Sequence, residues 1–234
     1  MQYDISKIFI ERNYGKVKIV CTNGESKFDM SLKSGEFIKN IEYIKKIYNV
    51  KSIGYLNQVH STIIKEFDGI PSEGDAIITD KKQVALGVFT ADCVPVLLFD
   101  EKKDVIAAIH SGWRGTYDEI TLKTLIKMKK VYDVNGEDIV AVIGPHIRSC
   151  CYEVSDDLIN SFKSKEIYKD ININNGRNLD LSSCISAQLK QFGVKVENII
   201  DMELCTRCDE DIIFHSYRRD KEKSGRNFSF IFIS

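Results

Sequence analysis

Apolar and polar positions follow two different periods along this chain, which indicates that strands and helices are interleaved. The segments KIFIERN and KVKIVCTN flank Gly15 and predict two early strands joined by a turn. In the next segment, GEFIKNIEYIKKIYNV, apolar side chains recur at three- and four-residue steps, which predicts an amphipathic helix. The predicted apolar stripe comprises Phe37, Ile38, Ile41, Ile44 and Ile47.

The middle of the chain contains short runs rich in valine and isoleucine, which favour buried strands. These runs are SIGYLNQVH, DAIITD, QVALGVFTADCVPVLLFD and DVIAAIH. After HSGWRGT the period lengthens and predicts a helix of about four turns. The apolar positions that fit this helix are Ile120, Leu122, Leu125, Ile126 and Val131.

The last third combines the same elements. DIVAVIGP predicts a buried strand, and the terminal NFSFIFIS is predicted to pair within the sheet. Ser155 is predicted to be the N-cap of DDLINSFKS, and Ser182 or Ser183 the N-cap of CISAQLKQF, which Gly193 ends. We therefore predict an α/β (α+β layered) fold, with a mixed central sheet flanked by helices and residues 1–234 in a single domain.

Composition narrows the class of protein. With 234 residues, of which 43% are hydrophobic, the chain can bury a core without disulfides. Lys plus Arg (33) nearly balances Asp plus Glu (34), so neither nucleic acid nor an anionic membrane is an expected partner. No signal peptide or membrane anchor is expected, since no apolar run approaches a membrane span in length. Seven cysteines, an odd number, predict mostly reduced thiols in a cytoplasmic protein.

Three potential metal ligands stand where strands are predicted to end. His60 ends NQVH, Cys93 lies in TADCVP between two apolar runs, and His110 ends VIAAIH. Residues at strand ends often form ligand sites, so these three can converge although they are distant in sequence. Nitrogen and sulfur ligands suit zinc, and three of them leave a fourth position for water or substrate. The alternative for each residue is a purely structural role.

A second potential metal site is CTRC, in which Cys205 and Cys208 have the spacing of half a zinc knuckle. His215 lies seven residues later, and a closed site needs four ligands. The cysteines available to complete the site are Cys150, Cys151 and Cys184. A redox dithiol or ordinary reduced cysteines are the alternatives.

Several blocks, taken in order, resemble the YfiH-type family, also called the multicopper polyphenol oxidase or laccase-domain family. They are NQVHST, GDAIIT, TADCVPVLLFD, AAIHSGWRGT, IGPHIRSCCYEV and FHSYRRDKEKSGRNFSFIFI. The resemblance implies one zinc per chain on His60, Cys93 and His110, within a single-domain α/β fold. It also implies phosphorolysis of adenosine, inosine, guanosine and methylthioadenosine, with adenosine deaminase as a side activity.

Two features qualify this resemblance. The segment ERNYGKVKIV keeps Arg12 and only one glycine of a loop that is commonly glycine-rich in the family. The older name of the family suggests copper and phenol oxidation, and copper remains an alternative metal. Four histidines in all are too few for a laccase-like multicopper array, which favours nucleoside chemistry.

Roles for other residues follow from their chemistry. Phosphorolysis needs cations for phosphate, for which Arg114 beside His110 is the first candidate, followed by Arg12, Arg218 and Arg226. The alternative for these arginines is ordinary ion pairing. Purine nucleosides and phosphate would then be the small-molecule partners.

Deamination also requires a proton shuttle, for which the candidates are Asp92 and Asp75. Either carboxylate could instead orient a ligand histidine. Asn57 and Gln58 are candidates for binding a base edge or ribose hydroxyl, with structural hydrogen bonding as the alternative. Trp113 is a candidate for stacking on a purine or for anchoring the core.

Three functions therefore remain open. The first is a zinc-dependent purine nucleoside phosphorylase. The second is a hydrolase that edits peptidoglycan precursors, either metal-dependent or with Cys93 as nucleophile and His60 or His110 as base. The third is a protein that stores metal or binds a partner without catalysis. Metal content distinguishes the phosphorylase from the hydrolase that uses Cys93 as nucleophile, because a thiolate bound to zinc is not a free nucleophile.

Overall fold

In the computed structural model, residues 5–70 and 72–234 are described, and residues 1–4 and 71 of the predicted domain lie outside them. The helices are α1 (Ile5–Ile8), α2 (Phe37–Tyr48), α3 (Trp113–Tyr117), α4 (Ile120–Tyr132), α5 (Asp156–Lys163), α6 (Leu181–Phe192) and α7 (Tyr217–Asp220). The strands are β1 (Phe9–Tyr14), β2 (Val17–Thr22), β3 (Ser52–Gly54), β4 (Ile64–Glu66), β5 (Ala76–Thr79), β6 (Val84–Thr90), β7 (Val94–Asp100), β8 (Val105–Ser111), β9 (Ile139–Ile143), β10 (Asn174–Asn175), β11 (Asn178–Leu179), β12 (Ile199–Asp201) and β13 (Asn227–Ile233). No helix within the described ranges has the length and hydropathy needed to cross a membrane.

The strands form two large mixed sheets and one short hairpin. The five-stranded sheet has the order β1-β2-β13-β6-β3, and only β3 and β6 in it are parallel. The six-stranded sheet has the order β12-β9-β7-β8-β5-β4, with parallel pairing at its two edges. The predicted α/β class, with mixed strands flanked by helices, is confirmed, although the strands divide between two sheets.

The two sheets pack face to face, which explains the long apolar runs in the sequence. Leu86 and Ile231 of the five-stranded sheet share one core cluster with Leu97 and Ile106 of the six-stranded sheet. Helix α2 packs on the outer face of the first sheet, and helices α4 and α6 pack on the outer face of the second. Strands such as β8 are therefore buried on both faces, so they show no alternation of apolar and polar residues.

Helix α2 is present where the sequence predicts it, with one difference in its buried face. Phe37, Ile41 and Ile44 are buried. Ile38, which we assigned to the apolar stripe, is 69% exposed. The buried amide of Asn40 takes a place on this face by donating to the carbonyl of Asp29.

Helix α4 also has the predicted extent, but of its predicted apolar-face residues only Ile120 and Leu125 are buried. The buried residues are Ile120, Thr121, Thr124, Leu125 and Met128. Ile126 and Val131, predicted as apolar-face residues, are 54% and 40% exposed. Two threonines share the buried stripe with the apolar side chains, so apolar residue type alone locates this face only in part.

The predicted helix caps are correct at Ser155 and Gly193 but wrong at the start of α6. The Ser155 hydroxyl accepts from the N–H of Leu158, and Gly193 ends α6 with a φ of +101°. The N-cap of α6 is Asp180, whose Oδ1 accepts from the N–H of Ser183 at 3.1 Å. The hydroxyls of Ser182 and Ser183 donate to the same carboxylate instead of capping the helix.

Replacing Asp180 by alanine is expected to lower the free energy of unfolding by about 1 kcal/mol, the usual contribution of an N-cap. Burial raises the pKa of Asp180, but hydrogen bonds from Ser182 and Ser183 outweigh it and leave the pKa below its usual value. The stabilisation is therefore present at neutral pH and is lost as the pH falls through this pKa. Urea denaturation at several pH values measures both effects.

Ser183→Ala is the matched control. It removes the hydroxyl that donates to Asp180 and keeps the backbone N–H that donates to the same carboxylate. It should cost less stability than Asp180→Ala. The opposite ranking would contradict the assignment of Asp180 as the N-cap.

Candidate functional site

His60, Cys93 and His110 converge at one end of the sheets. His60 lies in the loop after β3, Cys93 in the connection between β6 and β7, and His110 near the end of β8. Strands β7 and β8 pair with Pro95 opposite His110, which brings Cys93 beside this histidine. The ligand atoms of the three residues lie within 4.8 Å of one another, and Cys93 Sγ is 3.9 Å from His60 Nε2. The structure thus brings together the three ligands named from the sequence.

The buried carboxylate of Asp75 holds two of these residues in place. Its Oδ1 lies 2.8 Å from His110 Nδ1 and accepts from the N–H of His60 at 3.0 Å. Its Oδ2 accepts from the N–H and the hydroxyl of Ser61 at 2.6 and 2.7 Å. Burial raises the pKa of Asp75, but the hydrogen bonds from His110 and Ser61 outweigh it and lower the pKa to about 2.

This ionised carboxylate decides which nitrogen of His110 faces the site. A carboxylate can only accept, so His110 Nδ1 donates to Asp75 and Nε2 keeps its lone pair for a metal whenever the ring is neutral. His60 adopts a left-handed φ of +58°, and the hydrogen bond from its N–H to Asp75 helps to hold that conformation. Asp75 was predicted either to transfer a proton or to orient a histidine. Its hydrogen bond with His110 matches the orienting role.

The thiol of Cys93 lies in an environment that favours the thiolate. Burial raises its pKa, but the charge of His110 and hydrogen bonds from His110 and His60 lower it to about 6. Burial in turn lowers the pKa of His110, while the Cys93 thiolate and the Asp75 carboxylate raise it to about 9. A thiolate beside two imidazoles is a donor set that binds zinc well.

Gly112 provides the space around these ligands. A Cβ at this position would lie 3.1 Å from Cys93 Sγ and 3.1 Å from His60 Cδ2. The φ of Gly112 is −71°, which any residue can adopt, so the requirement is for space and not for backbone freedom. Any side chain here would press against two of the three ligands.

His60, Cys93 and His110 line a cleft of about 1100 Å³, large enough for a small organic molecule. Aromatic side chains line part of it, namely Phe89, Trp113, Tyr152 and Tyr217. Cationic side chains line another part, namely Lys33, Arg218, Lys221, Lys223 and Arg226. The cleft therefore offers stacking surfaces and positive charge beside the same three ligands.

Arg218 and Arg226 line the cleft, whereas the other two arginines proposed for phosphate do not. The guanidinium of Arg114 is exposed and lies 4.4 Å from the centre of the Trp113 ring. Arg12 lies on β1, where its Nη1 donates to the carbonyl of Glu11. Position in the fold therefore favours Arg218 over the first sequence candidate, Arg114.

Asp92 lines the cleft but uses both carboxylate oxygens within the protein. Oδ1 accepts from the hydroxyl of Thr206 at 2.7 Å, and Oδ2 accepts from the N–H of Arg218 at 2.5 Å. These bonds tie the start of α7 to the residue before Cys93. Proton transfer by Asp92 stays a prediction.

Gln58 and Asn57, predicted to bind substrate, make structural hydrogen bonds. The Gln58 amide both donates to and accepts from the backbone of Phe89, at 2.7 Å each. The backbone of Asn57 forms an isolated bridge with Glu73, and its side chain is exposed. Gln58 lines the cleft, but its amide is already paired.

Sequence reasoning missed Tyr152 and three lysines of the cleft. Tyr152 follows Cys151 within the block IGPHIRSCCYEV, so the resemblance contained a signal for it. Lys221 and Lys223 lie within the block FHSYRRDKEKSGRNFSFIFI and had the same signal, whereas nothing in the sequence distinguishes Lys33 from an ordinary surface lysine. Their contribution to the cleft depends on how the chain folds.

The four cysteines at 150, 151, 205 and 208 form a second cluster, with all sulfurs within 4.8 Å of one another. The other residues considered for this site lie elsewhere. Cys184 is buried in the core on α6, and His215 Nε2 lies 2.8 Å from the carbonyl oxygen of Phe28. All seven cysteines are free thiols.

Comparison with known proteins gives a consistent result. Residues 8–234 match the family described as "Multi-copper polyphenol oxidoreductase laccase". A "Purine nucleoside phosphorylase" from Clostridium acetobutylicum is 43% identical over 225 residues, which is 95% of this chain and 94% of that protein. "Adenosine deaminase RL5", from an unknown prokaryotic organism, is 36% identical over 163 residues, 68% of this chain and 62% of that protein. The crystal structure of the hypothetical protein YfiH from Bacillus licheniformis matches with a TM-score of 0.86, 26% identity and 97% coverage of both chains.

Gly112→Ala is expected to weaken binding of zinc, the metal that the sequence predicts here, by roughly tenfold or more, about 1.4 kcal/mol, because the new methyl group displaces Cys93 or His60. Competition with a coloured zinc chelator measures the affinity. Gly35→Ala is the control, since a Cβ there meets no atom within 4 Å. Unchanged zinc affinity in Gly112→Ala would contradict the placement of the metal among these side chains.

In the metal-free protein, alkylation of Cys93 by iodoacetamide should increase with pH around a midpoint near 6, the pKa of this thiol. The reaction requires the thiolate, so it is fast above the midpoint and slow below it. Mass spectrometry of the Cys93 peptide follows the rate. In denaturant the midpoint should return to roughly 8.5. A midpoint this high in the folded protein would contradict the stabilisation of the thiolate by the histidines.

Proposed function

The chain belongs to the multi-copper polyphenol oxidoreductase laccase family, and we propose that within it the protein is a zinc-dependent purine nucleoside phosphorylase. The proposed substrates are phosphate and adenosine, inosine, guanosine or methylthioadenosine, and deamination of adenosine is the proposed side activity. The observation that carries this function is the position of the three ligands in a cleft with aromatic and cationic walls. Relatives named purine nucleoside phosphorylase and adenosine deaminase support the same substrate class.

The donor set fits one zinc ion. Two imidazoles and one thiolate are common zinc ligands, and three protein ligands leave one position open. When bound here, zinc supplies a Lewis acid at the base of the cleft. Asp75 holds His110 in the tautomer that this requires, and Gly112 leaves room between the ligands.

The remaining histidines support a single metal at this site instead of a multicopper array. His146 is buried, and its Nδ1 donates to the carbonyl of Gly144. His215 contacts the carbonyl of Phe28. Neither belongs to a group of potential metal ligands in the described part of the chain. A laccase-like array would need more imidazoles than the two in this site.

Phosphorolysis breaks the bond between the ribose and the purine nitrogen, joins the ribose to a phosphate oxygen, and leaves a proton on the purine. In the proposed binding mode, the rings of Trp113 and Tyr152 hold the purine by stacking. Arg218 Nη1 donates to the carbonyl of Glu153, and Arg226 Nη1 donates to the carbonyls of Ser224 and Gly225. The other N–H groups of these two guanidiniums are the proposed donors to the phosphate. The five lysines and arginines of the lining outnumber the acidic Asp29, Asp92 and Glu222, and this excess of positive charge lowers the cost of bringing a dianion into the cleft.

A second candidate function is a hydrolase with Cys93 as nucleophile, since the pKa of this thiol is lowered to about 6 beside two histidines. Its substrate would be a peptidoglycan precursor. The two functions make opposite predictions about zinc. A nucleophilic Cys93 would be blocked by a bound metal, whereas the phosphorylase requires it.

Incubation with adenosine, with and without phosphate, tests the proposed function. Chromatography should detect adenine and ribose 1-phosphate only when phosphate is present, and only in protein that contains zinc. Inosine formed without phosphate would measure the deaminase activity. Adenosine turnover that survives complete removal of the metal would overturn the zinc-dependent function.

Arg218→Ala is expected to raise the Michaelis constant for phosphate about tenfold or more, because a hydrogen bond to a charged group contributes roughly 1.5–3 kcal/mol. Arg12→Ala is the matched control, since it also removes one guanidinium but lies on β1 outside the cleft. Initial rates at varied phosphate concentration provide both constants. Equal effects of the two substitutions would contradict the placement of phosphate beside Arg218.

A further inference from the structure

We propose that Cys150, Cys151, Cys205 and Cys208 bind a second zinc ion in a closed tetrathiolate site. This site is separate from the one formed by His60, Cys93 and His110. The four cysteines come from two loops, one after β9 and the other after β12. We refer to them as the cysteine cluster.

The distances in the cysteine cluster suit a tetrahedral ion. Zinc–sulfur bonds of about 2.3 Å in a tetrahedron place the sulfurs roughly 3.8 Å apart. All four sulfurs lie within 4.8 Å of one another, and those of Cys150 and Cys208 are 3.5 Å apart. A disulfide would require about 2.05 Å. The sulfurs are therefore near the separation of metal ligands and well beyond that of a covalent bond.

Backbone hydrogen bonds hold the two loops together without the help of an ion. Next to Cys205, the N–H of His146 donates to the carbonyl of Leu204, and the N–H of Thr206 donates to the carbonyl of His146. Within the first loop, the N–H of Cys151 donates to the carbonyl of Arg148 at 2.9 Å. Because the backbone already places the cysteines together, metal binding has little ordering cost to overcome.

The donor set identifies the class of ion. Four thiolates select zinc or iron over magnesium and calcium, which prefer oxygen ligands. Four protein ligands also leave no position for water, which is typical of a structural site. The guanidinium of Arg207 interacts with Cys151 and offsets part of the negative charge that four thiolates bring.

The cysteine cluster is directly connected to the wall of the cleft. Tyr152, which lines the cleft, follows Cys151 in the chain. Thr206 lies between Cys205 and Cys208, and its hydroxyl donates to Asp92, the neighbour of Cys93. An ion in the cluster would therefore fix the positions of Tyr152 and Asp92. Its role would be positioning and not catalysis.

Metal analysis of reconstituted protein tests this site. The protein is stripped with a chelator under reducing conditions, reloaded with zinc, and freed of excess metal. Wild type should retain two zinc ions per chain and Cys93→Ala one. With cobalt in place of zinc, Cys93→Ala should show the intense sulfur-to-metal absorption of a tetrathiolate site. This variant leaves the cysteine cluster intact, so the result does not depend on folding of a cluster variant.

The double substitution Cys150→Ala with Cys208→Ala should remove one zinc and leave the other. Cys184→Ala is the control, since it removes a cysteine that belongs to neither site and should retain both ions. No zinc in Cys93→Ala would overturn the second site. So would wild-type zinc content in the double variant, or a non-reducing mass that shows two hydrogens lost to a disulfide within the cluster. None of these readouts depends on nucleoside turnover, so failure here is distinguishable from failure of the proposed activity.

Discussion

Hydrogen bonds from three consecutive backbone N–H groups, at Val59, His60 and Ser61, converge on the buried carboxylate of Asp75, which also accepts from the ring of His110. A carboxylate removed from water is costly unless such donors surround it. Here the donors belong to the loop and the strand that carry two of the three ligands. The same interaction thus satisfies a buried charge, fixes the loop and sets the tautomer of His110.

The packing of two sheets explains why this arrangement is rigid. Strands β7 and β8 are buried on both faces, so the ends that carry Cys93 and His110 have little freedom to move. The loop that contains His60 is not part of a strand. Hydrogen bonds from the N–H groups of His60 and Ser61 to Asp75 hold it in place. Three side chains from separate segments stay together only on such a scaffold, because each must keep its position relative to the other two.

The two groups of potential ligands differ in a way that matches different roles. The group of His60, Cys93 and His110 combines nitrogen and sulfur and opens into a large cleft. The cysteine cluster has four sulfurs, and a hydrogen bond from Thr206 to Asp92 connects it to the wall of that cleft. The open group of His60, Cys93 and His110 suits chemistry on a bound molecule. The cysteine cluster suits a structural role, in which it holds together the loops beside the cleft.

The sequence by itself predicted the fold class, the pair of early strands, and the extents of α2 and α4, and it named His60, Cys93 and His110, which the structure brings together. These are local properties, since periodicity within one segment determines a strand or helix, and residue type at a strand end indicates a ligand. Only the tertiary structure decided which face of α4 is buried and that Asp180 caps α6. It also placed Arg218 in the cleft and Arg12 outside it, and brought the loop at Cys150 to the loop at Cys205. These features depend on contacts between segments far apart in the chain, which no local pattern records.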